Sequence, residues 1–247
     1  MDSNELRIVL IGRTGSGKTS TMNTILQTPD SPGLSASSDT LACERKEGEF
    51  DGRKLVVVDT PGWSNTELEE KEVVNKIVKC IVHAAPGPHV FLYVRELRKV
   101  TKRDMEALET FEKIFGEESK SHFLTLFYCT SDTDKDKIEQ CINDQVTQRF
   151  GGQHYVFDNK NPDQVSGLLK KIDDIVEKTG GHYTNDKFEK AEDAIDKKMQ
   201  ETGDSKQDAL DRLVDEILNY TVGEPLKSVV QGVIKLLENI DCKCVIQ

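Results

Sequence analysis

Residues 7–19 read RIVLIGRTGSGKT, an apolar run that breaks into glycines and ends on a lysine and a threonine. The run RIVLI (7–11) predicts a buried strand, and the residues from Thr19 to Gln27 predict a helix. Between them GRTGSGKT fits the spacing G-x-x-x-x-G-K-[ST]. Glycines at 12, 15 and 17 let the backbone curl until successive N–H groups converge on one point. The start of the following helix adds partial positive charge there, so the loop suits an anion such as a phosphate. In such a loop Lys18 reaches the β- and γ-phosphates of a nucleotide, and the Thr19 hydroxyl ligates Mg²⁺. The candidate phosphate-binding residues are therefore Gly12, Arg13, Thr14, Gly15, Ser16, Gly17, Lys18, Thr19 and Ser20. A Gly-rich turn without a ligand is the plainer alternative, and the strand–loop–helix context argues against it.

A second motif lies downstream. KLVVVD (54–59) predicts a strand, and DTPG (59–62) closes it. An aspartate at that strand end holds Mg²⁺ through a water, and the Gly62 N–H faces a γ-phosphate that is present only before hydrolysis. Thr40, in the loop-like SASSDTLAC (35–43), is the candidate to close over the metal. Thr19, Thr40 and Asp59 thus form the expected Mg²⁺ set.

Further strands are expected at HVFLYV (89–94), HFLTLFYC (122–129) and HYVF (154–157), with helices near 67–83, 101–115, 135–149 and 162–178. This βα alternation predicts an α/β fold with a mostly parallel, doubly wound sheet, and the glycine loop after its first strand makes it of the P-loop NTPase kind. After Gly180 and Gly181 only helical periodicity continues. The expected organisation is a nucleotide-binding domain over 1–180, a C-terminal helical extension over 181–240 and a tail over 241–247. A net charge of −11 argues against nucleic acid or a bare anionic lipid surface as partner. The short lead into the first strand predicts no signal peptide, no apolar run reaches the roughly 18 residues of a membrane span, and the six scattered cysteines suit a reducing, cytoplasmic setting.

On several stretches the chain resembles the GTPases of immunity-associated proteins, the GIMAP family of septin-related, AIG-type G domains. They are GRTGSGKTSTMNTIL, DTLAC, VVVDTPGW, the specific box LRKVTKRDMEALETFEKIFG (97–116), FDNK (157–160) and GGHYTND (180–186). The likeness covers about residues 6–188. It implies a G domain with a helical extension, GTP or GDP with Mg²⁺ as ligands, and nucleotide-dependent self-association into a homodimer or oligomer.

Where the family reads the guanine base, this chain has YCTSDTDKD (128–136). Alignment by the strand end offers Asp132 as the carboxylate acceptor, and alignment by Thr130 offers Asp134, which is preferred. Asn159 is the matching contact on the purine side. An acidic turn with no role in base reading is the alternative. The residue after Gly62 is Trp63, and no glutamine stands nearby to orient water, so hydrolysis by a lone subunit is expected to be slow. The resemblance implies rescue by an arginine from the box across a dimer. Here Lys99 stands at the matching position with Arg98 beside it, and lysine supplies charge without the planar fork. A GTP-dependent scaffold that does not hydrolyse is the other reading. The chain ends CKCVIQ, in which Cys244 fits a C-a-a-X prenylation sequence and Cys242 a second, acylated anchor. One lipid alone anchors only marginally, so peripheral membrane association is an expectation attached to this tail.

Overall fold

The structure is a computed structural model that describes residues 4–28, 43–60, 80–129 and 135–220. Six strands form one sheet: β1 (Glu5–Ile11), β2 (Glu44–Phe50), β3 (Arg53–Asp59), β4 (Val90–Glu96), β5 (Phe123–Tyr128) and β6 (His154–Phe157). Their spatial order is β2-β3-β1-β4-β5-β6. All neighbours run parallel except the β2–β3 pair. The helices are α1 (Lys18–Ile25), α2 (Lys102–Phe115), α3 (Lys135–Ile142), α4 (Gln145–Arg149), α5 (Val165–Thr179), α6 (Asp186–Thr202) and α7 (Lys206–Tyr220). This is the mostly parallel, doubly wound α/β architecture that the alternation predicts.

The central strands are mostly apolar because both of their faces are covered. Leu6, Ile8, Leu10, Leu92, Val94, Leu124 and Leu126 join Met22 and Ile25 of α1 and Leu168 and Ile172 of α5 in one buried cluster. Alternate positions supply an aromatic cluster on the other face. Phe91 lies 4.9 Å from Phe111 of α2, edge on, and Phe123 stacks on Phe150 at 4.1 Å. The period of two along each strand decides which residue serves which face.

Strand β2 was not expected, because ERKEGEF has no apolar alternation. It is an edge strand, and its partners are ionic: Arg45–Glu47 at 2.5 Å, Lys46–Glu44 at 3.2 Å and Glu47–Lys54 at 3.1 Å. Asp51 (φ 50°) and Gly52 (φ 76°) make the two-residue turn into β3, so the Asp-Gly pair was the legible hairpin signal. The single helix expected at 135–149 is two helices. The first ends at Ile142, and Asp144 caps the second by accepting from the Thr147 N–H. The helix expected at 162–178 opens with a 3₁₀ turn at Pro162–Gln164, and of the one expected at 67–83 residues 80–84 are described.

The chain divides into two units, residues 1–65 with 88–183, and residues 66–87 with 184–247. The first holds the whole sheet. In the second, α6 packs on α7, and Lys206 meets Glu192 at 3.2 Å. Asn185 caps α6 by accepting from the N–H groups of Lys187 and Phe188, and Gly203 ends it in the left-handed conformation. Residues 221–247, with the tail cysteines Cys242 and Cys244, lie outside the described residues. Among the described residues no helix is long and apolar enough to cross a membrane.

Candidate functional site

The carboxyl ends of β1, β3 and β4 lie side by side. In a doubly wound sheet the connections leaving β1 and β4 diverge there, and the resulting crevice takes ligands. The loop from Gly12 to Gly17 fills it. Gly12 has φ 150°, and a Cβ there would stand 2.4 Å from the Val94 carbonyl oxygen of β4 and 2.9 Å from Ser16 Oγ. Only glycine lets the loop pass this close to the strand. Gly17, at φ 90°, turns the chain into α1 as its N-cap and, having no side chain, makes no side-chain cap hydrogen bond to the helix.

Lys18 folds back over the loop. Its ammonium donates to the Arg13 carbonyl at 2.9 Å and to that of Gly12 at 3.3 Å, and the residue is buried. Thr19 Oγ1 donates to Asp59 Oδ2 at 2.6 Å, so the first turn of α1 meets the end of β3. Asp59 is fully buried, and its Oδ1 has no hydrogen-bond partner among the described residues. Burial raises the Asp59 carboxyl above its usual range, against the opposing charge of Lys18 and the Thr19 hydroxyl. A dry, half-satisfied carboxylate next to a threonine hydroxyl is a hard-oxygen donor pair of the type Mg²⁺ takes. Thr60 follows, donating its hydroxyl to the Leu10 carbonyl at 2.6 Å, which holds β3's end against β1.

The structure brings Gly12, Arg13, Thr14, Gly15, Ser16, Gly17, Lys18, Thr19, Ser20 and Asp59 into one site. It also brings Asn159 to it: the Asn159 amide lies against Gly17 and Thr21. Thr40, Gly62, Asp132 and Asp134 lie outside the described residues.

Arg98 and Lys99 occupy the turn between β4 and α2. The Arg98 guanidinium forks onto Asp104, Nη1 to Oδ2 and Nη2 to Oδ1, both at 2.8 Å. Asp104 also accepts from the Thr101 N–H at 2.8 Å and hydroxyl at 2.7 Å, completing the capping box of α2. Burial alone would push the Asp104 carboxyl up; Arg98 and Thr101 outweigh it and hold the group well below the usual carboxylate range. Lys99 is exposed.

Sequence reasoning missed Arg95. It is 3% exposed, lies 2.7 Å from Asp144, donates Nη2 to the Arg98 carbonyl at 2.8 Å, and stands over the Phe127 ring. With Tyr93, Arg98, Arg13, Thr14 and Ser16 it lines a cavity of about 120 Å³ beside the glycine loop. Ser16 Oγ, at this boundary, is buried without a hydrogen-bond partner among the described residues. The signal was available, because a charged residue closing an otherwise apolar central strand needs a reason to be there.

A glycine-rich loop between the first strand and helix, an aspartate at the end of β3 and this strand order together define a P-loop G domain. Residues 6–203 match the model of the AIG1 family, and the chain belongs to that family. Immune-associated nucleotide-binding protein 10 of Arabidopsis thaliana is 31% identical over 215 residues, which cover 78% of this chain and 46% of that protein. GTPase IMAP family member 8 of Homo sapiens is 28% identical over 84% of this chain and 34% of its own length. The chain thus spans less than half the length of these two relatives. Among solved structures, Toc33 from Arabidopsis thaliana in complex with GDP and Mg²⁺ superposes with a TM-score of 0.56 at 17% identity, over 74% of this chain and 88% of that one. That likeness is one of fold.

Proposed function

We propose that the chain binds GTP with Mg²⁺ and hydrolyses it to GDP and phosphate, slowly as a single subunit and faster when two subunits meet across the nucleotide face. The observation that carries this reading is the Thr19–Asp59 contact at the mouth of the glycine loop, with one Asp59 oxygen buried and unpartnered among the described residues. In the proposal Gly12–Gly17 and the start of α1 cradle the phosphates with backbone N–H groups. Lys18 exchanges its loop carbonyls for β- and γ-phosphate oxygens. Thr19, Asp59 and Thr40 would hold Mg²⁺, which would offset the negative charge on the phosphates. Gly62 senses the γ-phosphate, and Asp132 or Asp134 reads the base beside Asn159. Residues 1–180 carry this site, and 181–240 form the helical extension. The family membership, the relatives named as nucleotide-binding proteins and GTPases, and the GDP- and Mg²⁺-bound Toc33 fold support it.

Nothing in DTPGW orients water as a glutamine does, so the proposal assigns the missing stimulation to a second copy. Arg98 is committed to Asp104, which leaves the exposed Lys99 as the cation to meet a partner's phosphates. The same commitment favours a second reading, a GTP-dependent scaffold in which the nucleotide sets assembly without turnover. GTP turnover per subunit, followed from nanomolar to tens of micromolar protein, separates the two. A specific rate that climbs and saturates supports catalysis across a dimer. A rate near zero despite tight GTP binding replaces it with the scaffold.

A further inference from the structure

Helix α1 is tied at its inner side to the loop that follows β6. Thr21, fully buried, donates its hydroxyl to Asn159 Oδ1 at 3.1 Å. The other end of that amide reaches the Gly17 carbonyl, Nδ2 to O at 3.5 Å. One turn on, Thr24 Oγ1 stands 2.9 Å from the Asn159 carbonyl and 2.9 Å from the Ser20 carbonyl, with one proton to share between them. The contact is close, since a Cβ on Gly17 would lie 3.4 Å from Asn159 Nδ2. The loop is also braced from its far side. The Asp158 N–H donates to Gln164 Oε1 at 3.0 Å, and Asp158 Oδ1 accepts from the Lys160 N–H at 2.9 Å.

Hydrophobic packing does not explain these contacts. A threonine whose hydroxyl is fully buried costs stability unless that hydroxyl is satisfied, and a valine of nearly the same shape would need no partner. Two threonines on one helix face converging on a single asparagine therefore serve the position of that asparagine. We propose that Thr21 and Thr24 are positioning residues, which lock the loop 157–160 to the phosphate-binding helix so that the base and the phosphates of one nucleotide are held by a single rigid body. The inference rests on the nucleotide-binding reading above. In it the Asn159 amide keeps one N–H and one lone pair for the base, while its other hydrogen and lone pair are spent on Gly17 and Thr21.

The test compares GTP with inorganic tripolyphosphate, which has the phosphates but no base, on the full chain. Thr21→Val and Thr24→Val remove each hydroxyl with little change of shape. Together they are expected to weaken GTP about tenfold, the loss of two ordinary hydrogen bonds, and to leave tripolyphosphate affinity unchanged. Thr21→Ser with Thr24→Ser, which restores both hydroxyls, is expected to restore GTP affinity. Equal weakening of GTP and tripolyphosphate, or unchanged GTP affinity, overturns the proposal. If Thr21→Val impairs folding, Thr24→Val alone carries the same comparison at about threefold. A wild-type chain that holds tripolyphosphate but not GTP shows instead that the nucleotide reading has failed, and the strut falls with it.

Discussion

Gly12→Ala measures how tightly the glycine loop is pressed against the sheet. Two costs add at this position. The backbone sits at φ 150°, which an alanine adopts only under strain of about 1–3 kcal/mol. The new methyl would also stand 2.4 Å from the Val94 carbonyl oxygen. That oxygen belongs to Val94, itself fully buried in a central strand, and cannot swing aside, so relieving the overlap costs about 1–3 kcal/mol more. The sum centres near 4 kcal/mol, which lowers the midpoint of thermal unfolding by about 8–16 °C for a chain of this size. Gly15→Ala is the internal control. Its φ is 79°, but a Cβ there meets nothing within 4 Å, so only the left-handed strain of about 1–2 kcal/mol remains. Differential scanning calorimetry of the nucleotide-free chains reads both. Equal midpoints for the two variants would refute the claim that contact with Val94 dictates glycine at position 12. Because the variant displaces the loop, GTP affinity is expected to fall in Gly12→Ala well beyond its fall in Gly15→Ala.

Thr19→Val removes the 2.6 Å bond to Asp59 and one proposed metal ligand, so the Mg²⁺ dependence of GTP binding should largely vanish in titrations with and without EDTA; retained dependence would remove Thr19 from the metal set. His89, desolvated and near Arg7, His182 and Arg53 with only Glu5 opposing, is pushed down to about 3, and its Nδ1 accepts the Arg7 N–H at 2.9 Å. Burial lowers His182 and His122 as well. A histidine held neutral by the fold stabilises it above the unfolded pKa, and that stability is lost as pH falls from about 6.5 toward 3. The chain should therefore lose up to about 2 kcal/mol for His89 between pH 6.5 and pH 5, and urea midpoints for His89→Gln should show a shallower slope there. The Asp104 carboxyl is also held below its usual range, so its contribution persists above about pH 4 and is lost as pH falls below it. Arg98→Ala should cost about 2 kcal/mol, by leaving the buried Asp104 without its fork. A change within 0.5 kcal/mol of wild type, about the noise of such measurements, would show that the pair contributes little. Under the dimer reading, Lys99→Ala should flatten the rise of GTP turnover with protein concentration more than Arg98→Ala does.

Local chemistry that expresses itself within a few residues was legible in the sequence. The glycine loop, the strands that read as unbroken apolar runs and the Asp59 strand end follow from spacing and burial on both faces. Six residues spaced over one loop already specify an anion cradle, because the backbone supplies its donors. The helix break was less legible: α3 stops at Ile142 and Asp144 caps α4, yet periodicity alone runs through both. Strand β2 carries ions instead of an apolar face, so only its pairing with β3 defines it. Tertiary structure alone decided which side chains are already spent. Arg98 and Lys99 look equivalent as a sequence pair, yet the turn after β4 delivers Arg98 to the cap of α2 and leaves Lys99 exposed. The same holds for Thr21 and Asn159, which are 138 positions apart and meet only because β6 ends beside the start of α1. Hydrogen bonds between distant segments have no signature in either segment. The order of strands in the sheet brings their partners together.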